Sequence, residues 1–179
     1  FIQWGFSQVF PAKTMCAHVT TWNKNSSVKF RTDVAMMCKL GFDIKLADMS
    51  KDDETYCRTA VQNYNRLKPV VLEGDMYRLV SPYGSNHTST MYVGKDKDKA
   101  VVFAFDIHPR YAEKILPVRL QGLDADKMYR VKEINLMPGA NSSLSGNGEV
   151  FSGEFLMNVG LNLFTTQQLN SRVIEVVAE

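Results

Sequence analysis

The sequence lacks the features that define several large classes of protein. Its three cysteines, Cys16, Cys38 and Cys57, have no C-x-x-C spacing, so neither a disulfide framework nor a zinc cluster is predicted. No apolar run approaches the roughly 20 residues of a membrane span. No basic start leads into an apolar run and a small-residue cleavage site, so a secretory signal is not predicted.

Charge and motifs exclude further classes. Lysine and arginine number 21 against 19 aspartates and glutamates, and a net charge of +2 does not support nucleic-acid binding. No glycine-rich phosphate loop is present, and His87 and His108 have no metal-ligand spacing. We therefore predict no cofactor, no metal, no nucleic-acid partner and no membrane partner. What is present is a chain of 179 residues, 45% hydrophobic and 22% charged, which is typical of one packed domain or a domain plus a piece of another.

The hydrophobic period of the chain changes near Pro69. In residues 1–68, helical spacing alternates with short strand spacing, which is the rhythm of a parallel α/β sheet. Two strands cannot make a sheet with both faces covered, so this region indicates the end of a larger domain. The predicted elements are helices over residues 1–10, 27–40 and 50–66 and strands over residues 15–20 and 42–46, with Gly41 as a helix stop and Ser50 as a helix cap.

Residues 69–179 have an all-β pattern, rich in valine, tyrosine and phenylalanine between turn residues. The spacing of the strands predicts a small antiparallel sandwich or barrel. Residues 152–163 are compatible with either a strand or a short helix. The predicted strands cover residues 76–80, 90–93, 100–107, 118–121, 128–134 and 172–177.

Three side chains in the first region are candidates for chemistry. Cys16 and His18 share one face of a strand, but residues two apart are separated by about 7 Å, which is too far for a nucleophile and its base. A structural histidine is therefore predicted. Asp43 lies inside an apolar strand, where alternation alone accounts for it and a place in a barrel mouth is the alternative.

Several segments resemble one known family. Residues 1–20, FIQWGFSQVFPAKTMCAHVT, are similar to the family pattern x-I-Q-x-G-x-S-x-x-Y-P-x-x-x-M-G-A-H-V-S, with Phe10, Cys16 and Thr20 in place of the usual tyrosine, glycine and serine. Residues 30–46, FRTDVAMMCKLGFDIKL, are similar to R-x-x-V-A-M-x-G-x-L-G-Y-E-L-D-L. Residues 72–82, LEGDMYRLVSP, and 152–161, SGEFLMNVGL, are similar to two later motifs. The family is glycoside hydrolase family 36, the α-galactosidases.

This resemblance implies an α+β fold: terminal βα units of a (β/α)8 barrel followed by a small antiparallel β-sandwich domain. Residues 1–68 would be the end of the barrel, from its sixth helix to its eighth, and residues 69–179 the C-terminal β-domain. In a barrel the carboxyl ends of the strands face the substrate. Trp22, Asn23 and Asp43 are therefore the candidate substrate-binding residues, with Trp22-Asn23 standing where the family usually has Pro-Asn.

The resemblance also implies retaining hydrolysis of terminal α-galactosides in oligosaccharides, with no metal or cofactor. Retention needs two carboxylates, a nucleophile and an acid/base. In the family both are aspartates, and both belong to stretches upstream of the first matched motif. No residue of this sequence inherits either role, so the chain is expected to be the inactive C-terminal fragment of an α-galactosidase.

Two alternatives lead to different expectations. A non-catalytic carbohydrate-binding or structural β-module would need an exposed aromatic platform, for which Tyr77, Tyr83 and Tyr92 are candidates. A purely structural β-domain would pack on the barrel or on a second subunit of a homo-oligomer. In every case two barrel strands with unpaired edges invite association, so we expect the isolated chain to aggregate, to dimerise through residues 1–66, or to leave that region poorly ordered.

Overall fold

A computed structural model describes residues 1–22 and 25–179 of the chain. Helices alternate with short strands in the first third, and strands dominate the rest, which confirms the predicted α+β class. The described elements, in chain order, are α1 (Ile2–Phe6), β1 (Cys16–Thr20), α2 (Val28–Ala35), β2 (Lys39–Asp43), α3 (Lys51–Glu73), β3 (Asp75–Val80), β4 (His87–Val93), β5 (Lys99–Asp106), β6 (Met128–Ile134), β7 (Val150–Ser152), α4 (Gly153–Asn158) and β8 (Asn170–Ala178).

The first third contains a parallel pair of strands, β1 and β2, joined through α2. The Ser27 hydroxyl caps α2 by accepting a bond from the Phe30 amide at 3.1 Å. The helix ends at Ala35, earlier than predicted, and Gly41 lies inside β2 rather than at a helix stop. The difference has a packing reason: a glycine here leaves room for the ring of His18 on the neighbouring strand.

The long helix α3 connects the two parts of the chain. Ser50 caps it as predicted, accepting from the Asp53 amide at 3.1 Å. Its buried residues recur at helical spacing, and because this face is packed the helix continues through Pro69 to Glu73. The predicted division of the chain at residues 68 and 69 therefore falls inside a helix, and it remains a prediction.

The remaining strands form one six-stranded sheet of order β3-β4-β5-β8-β6-β7, in which every neighbouring pair is antiparallel. The antiparallel sheet predicted for the second region is thereby confirmed. The predicted strand over residues 118–121 is wrong, because this segment forms a single bridge, from Val118 to Leu161. The ambiguous segment after residue 152 begins as a helix, α4, capped by Ser152.

Both faces of this sheet are buried, which couples the two parts of the chain. Along β5, Val101, Phe103 and Phe105 pack with residues of α2 and α3 in one core. The alternate residues Val102 and Ala104 form a second core. They pack there with apolar residues of α4 and of the segment that precedes it. The βα units and the β-domain therefore share a continuous apolar contact.

Among residues 1–22 and 25–179, none of the helices has the length and apolar character of a membrane span.

Candidate functional site

Two of the three candidate binding residues, Trp22 and Asp43, lie at one edge of the parallel pair. Thr20 and Asp43 end β1 and β2 and stand opposite each other in the strand register. Trp22 follows two residues later with 85% of its surface exposed, and Asp43 is also exposed. Asn23 lies outside the described residues. The structure thus brings the ends of both candidate strands to the same edge, with an indole and a carboxylate open to solvent.

Side chains of α2 and β1 hold this edge in place. The Arg31 guanidinium donates to the Thr20 carbonyl and to the Ser27 carbonyl, the latter at 3.4 Å. Val19 of β1 is buried. Because strand residues alternate, Cys16, His18 and Thr20 belong to the opposite face of the strand. That face carries the polar groups of β1.

Cys16 and His18 are closer than strand spacing predicts. The Cys16 Sγ lies 3.2 Å from the His18 Nε2, and both residues are exposed. The prediction that the pair is too far apart for contact is wrong, because the two side chains approach each other although their Cα atoms are two residues apart. The imidazole sits over Gly41, where an added Cβ would lie 2.4 Å from the His18 Cδ2.

A buried carboxylate beside this region was missed by sequence reasoning. Asp33 of α2 has no exposed surface and accepts from Lys29 Nζ at 2.6 Å and Tyr56 Oη at 2.8 Å. It also accepts from Ser171 Oγ at 2.7 Å and Asn135 Nδ2 at 3.0 Å, both in the second part of the chain. The available signal was an aspartate among apolar residues on a predicted helix.

This cluster joins α2 and α3 to the ends of β6 and β8. Burial, and then the charge of Asp33 beside it, raise the pKa of Tyr56 well above its ordinary value, so the phenol remains a proton donor. Each of these four partners donates a hydrogen bond, so both carboxyl oxygens of Asp33 act as acceptors. The cluster has a structural role and does not open onto the candidate edge.

A second buried network lies in the β-domain. His87 donates from Nδ1 to Asp106 Oδ1 at 2.8 Å, and its ring stacks on Phe164 with centroids 4.7 Å apart. Asp106 also accepts from the Thr165 hydroxyl at 2.6 Å and the Asn170 amide at 3.1 Å.

Across residues 1–22 and 25–179, no group of three or more His, Cys, Asp or Glu side chains is arranged to hold a metal ion.

The candidate aromatic platform of the β-domain does not form. Tyr92 is buried and donates from its hydroxyl to the Met37 carbonyl at 2.7 Å. Tyr77 packs against Gly122, where an added Cβ would lie 2.4 Å from its ring. Tyr83 is the exposed member of the three, at 67%. A flat sugar-binding surface built from these tyrosines is therefore not present.

The parallel βα unit followed by an antiparallel sheet agrees with the fold that the family resemblance implies, the end of a barrel followed by a β-domain. Comparison with known families agrees. Residues 1–74 match the Melibiase family, and residues 87–176 match the C-terminal domain of glycosyl hydrolase family 36. The second match covers half of the chain, and the chain belongs to glycosyl hydrolase family 36.

The similar proteins are α-galactosidases. The chain is 33% identical to alpha-galactosidase 2 of Hypocrea jecorina and 32% identical to the probable alpha-galactosidase G of Aspergillus terreus, in each case over 97% of its length. It spans 22% and 23% of those two proteins. The chain therefore corresponds to less than a quarter of these relatives.

Solved structures of such enzymes match almost all of this chain. The α-galactosidase AgaB from Geobacillus stearothermophilus matches 99% of this chain with a TM-score of 0.84 and 26% identity. A variant of AgaA from the same organism, solved in complex with raffinose, matches 99% of this chain with a TM-score of 0.85 and 26% identity. In both cases the matched region is 24% of the solved chain.

Proposed function

We propose that this chain is the C-terminal part of a retaining α-galactosidase that hydrolyses terminal α-galactosides in oligosaccharides such as raffinose. The observation that carries the proposal is the shared edge of β1 and β2, where Thr20 pairs with Asp43 and Trp22 is exposed. The carboxyl ends of barrel strands form the substrate side in enzymes of this architecture. AgaA variants solved with raffinose and stachyose support the class of substrate.

Each candidate residue has a role suited to a sugar. The exposed indole of Trp22 offers an apolar face on which a pyranose ring stacks. The Asp43 carboxylate accepts hydrogen bonds from sugar hydroxyls. Asn23 is proposed from its place in the sequence, next to Trp22. None of the three is proposed as nucleophile or acid/base.

The catalytic carboxylates are proposed to come from outside this chain. A retaining mechanism needs two carboxyl groups about 5 Å apart on either side of the bond that is cleaved. The family stretch S-D-x-T-D, which carries one of them, does not occur in the 179 residues. Asp43 by itself supplies one carboxylate and cannot complete the pair.

A chimera tests this function. In the chimera, this chain replaces the matching segment of AgaA. We expect the chimera to hydrolyse a chromogenic α-galactoside, whereas the chain alone produces no turnover. Trp22→Ala in the chimera should raise KM by roughly tenfold, because a sugar-stacking indole contributes about 1 kcal/mol or more. Steady-state kinetics and the intact mass of each sample are the measurements.

Tyr111→Ala is the matched control, because Tyr111 is a fully exposed aromatic residue in the β-domain. Its KM should equal that of the unmodified chimera. A folded, monodisperse chimera without activity would contradict the proposed function. Turnover by the isolated chain at its correct mass would contradict the proposal that the catalytic carboxylates lie elsewhere, and Asp43→Asn would be the next variant.

We also propose that the isolated chain self-associates through its barrel region, in line with the expected homo-oligomer. Large apolar side chains of residues 1–46 are open to solvent, and contiguous apolar surface favours association. Val9→Lys combined with Leu46→Lys should lower the apparent mass in size-exclusion chromatography with light scattering. The exposed set comprises Phe1, Ile2, Phe6, Val9, Phe10, Trp22, Phe42 and Leu46.

As a control, Tyr111→Lys places a lysine at an exposed position of the β-domain and should leave the apparent mass unchanged. A wild-type chain that remains monomeric as its concentration rises, with residues 1–66 protected from proteolysis, would refute self-association through this surface.

A further inference from the structure

We propose that His87 is a proton-dependent latch, which fastens residues 109–117 to the β-domain when its ring is protonated and releases them when the ring is neutral. Residues 109–117 are called the latch segment. In the protonated ring both nitrogens donate, Nδ1 to Asp106 and Nε2 to Glu113. This inference does not rest on the proposed function, because none of these groups is proposed to bind or cleave a glycoside.

The ring of His87 is buried between two carboxylates. The residue is 4% exposed, and its Nδ1 lies 2.8 Å from Asp106 Oδ1. Its Nε2 is buried and makes no hydrogen bond within the part of the chain that the structure describes. Glu113 Oε2 lies 3.7 Å from this nitrogen. A movement of about 0.5 Å would bring the Glu113 carboxylate into hydrogen-bonding range of a protonated Nε2.

Asp106 fixes which nitrogen of a neutral ring carries the proton. Its carboxylate accepts from the Thr165 amide, the Thr165 hydroxyl and the Asn170 side chain. Because a carboxylate only accepts, the nitrogen of His87 that faces it must donate. A neutral ring therefore keeps its proton on Nδ1 and turns the lone pair of Nε2 toward Glu113. The lone pair and the carboxylate repel each other, whereas a protonated Nε2 attracts the carboxylate.

Glu113 is held as a carboxylate at this position. The Arg110 backbone amide donates to its Oε2 at 2.9 Å, and Asn86 Nδ2 donates to both of its oxygens at 3.1 Å. The Arg110 amide first, and then the Asn86 side chain and the charge of His87, hold the pKa of Glu113 below its ordinary value. Glu113 therefore stays ionised over the range of about pH 5 to 8 in which histidine side chains change charge.

The latch segment is exposed and contains a strained residue. Tyr111 is fully exposed, and Ala112 has a φ of 56°, in the left-handed region that is unfavourable for alanine. Ala112 directly precedes Glu113, so the bonds of Glu113 help to hold this conformation. Exposed segments with few buried contacts open locally at low cost. Loss of the attraction between His87 and Glu113 should therefore increase opening of the latch segment without unfolding the sheet.

The other ionisable groups around His87 were compared as sources of pH dependence. Arg110 on the latch segment and Arg172 on β8 remain positively charged throughout the range, and Arg172 lies 3.7 Å from Glu133. The 164–170 segment places the apolar ring of Phe164 on His87. His108 is exposed and contacts Gln168 at 3.0 Å. It is the second histidine beside the latch segment and provides the control.

Hydrogen–deuterium exchange of the full chain, read by peptide mass spectrometry, tests the latch. After correction for intrinsic exchange rates, we expect the latch segment to be roughly tenfold more protected at about pH 5.5 than at about pH 8, as for one charge-assisted hydrogen bond. Glu113→Gln keeps an acceptor for Asn86 but lacks the charge, so the ratio should fall to about one. His87→Asn keeps a donor for Asp106 without a titrating group, and should have the same effect.

His108→Gln, the control, should keep the tenfold ratio. Circular dichroism shows whether each variant is folded, and peptides of β5 and β8 should keep their protection, which separates local release from global unfolding. Glu113 is partly exposed, so its variant remains informative if His87→Asn fails to fold. Equal protection of the wild-type latch segment at both pH values would overturn the proposal. A pH dependence that survives in folded Glu113→Gln, or disappears in folded His108→Gln, would overturn it equally.

Discussion

Replacing Asp33 with asparagine is expected to lower the free energy of unfolding by about 3–5 kcal/mol, as when one partner of a buried ion pair is removed. Four donors converge on this carboxylate, from Lys29, Tyr56, Asn135 and Ser171. An asparagine would turn an amide NH₂ toward two of these donors and leave the Lys29 ammonium without its counter-charge. Urea denaturation followed by circular dichroism measures the loss.

Two variants make this test specific. Asp52→Asn removes the same charge from an exposed position in the first turn of α3, and it should cost no more than about 1 kcal/mol. Adding Lys29→Met to Asp33→Asn should recover part of the loss, because the uncompensated ammonium is then absent. An Asp33→Asn protein with the urea midpoint of the wild type would show that the cluster contributes little to stability.

Alanine at Gly74 is expected to destabilise the fold by roughly 2–3 kcal/mol, the usual cost of overpacking. Gly74 ends α3 and leads directly into β3. A Cβ there would lie 2.4 Å from the Val70 carbonyl oxygen and 2.5 Å from the Val93 carbonyl oxygen. Both neighbours are backbone atoms, so either the end of the helix or the strand β4 must shift.

The matched control is Gly84→Ala, because a Cβ at Gly84 meets no atom within 4 Å. It should change stability by no more than about 0.5 kcal/mol. Thermal and urea unfolding of both variants against wild type give the comparison. Equal stability of the two variants would mean that the junction between α3 and β3 relaxes freely, and the steric argument at Gly74 would then be wrong.

Elements with a local cause were predictable. The start of α3 at Ser50 and Lys51 follows from a side-chain cap, and the buried strand β5 follows from its run of apolar residues. The end of α2 and the bounds of β2 were missed. These depend on what Gly41 meets on the neighbouring strand, and no local pattern records that contact.

The position of two candidate residues, but not their role, was predictable for the same reason. Trp22 and Asp43 were selected because barrel strands present their carboxyl ends to substrate, and the structure places both residues at one edge. Strand spacing wrongly separated Cys16 from His18, because it measures Cα positions and not where side-chain atoms meet. The role of Trp22 and Asp43 toward a sugar stays a prediction that the chimera would test.

The sequence by itself determined the family, the order of helices and strands from α1 to β5, and the change from a parallel to an antiparallel region, because each is encoded in local periodicity or in contiguous motifs. Only the tertiary structure decided that Asp33 joins the two regions through partners as distant in sequence as Ser171. It also decided that the thiol of Cys16 touches an imidazole. Such contacts depend on how separate segments pack, since burial and side-chain geometry arise only when the segments come together.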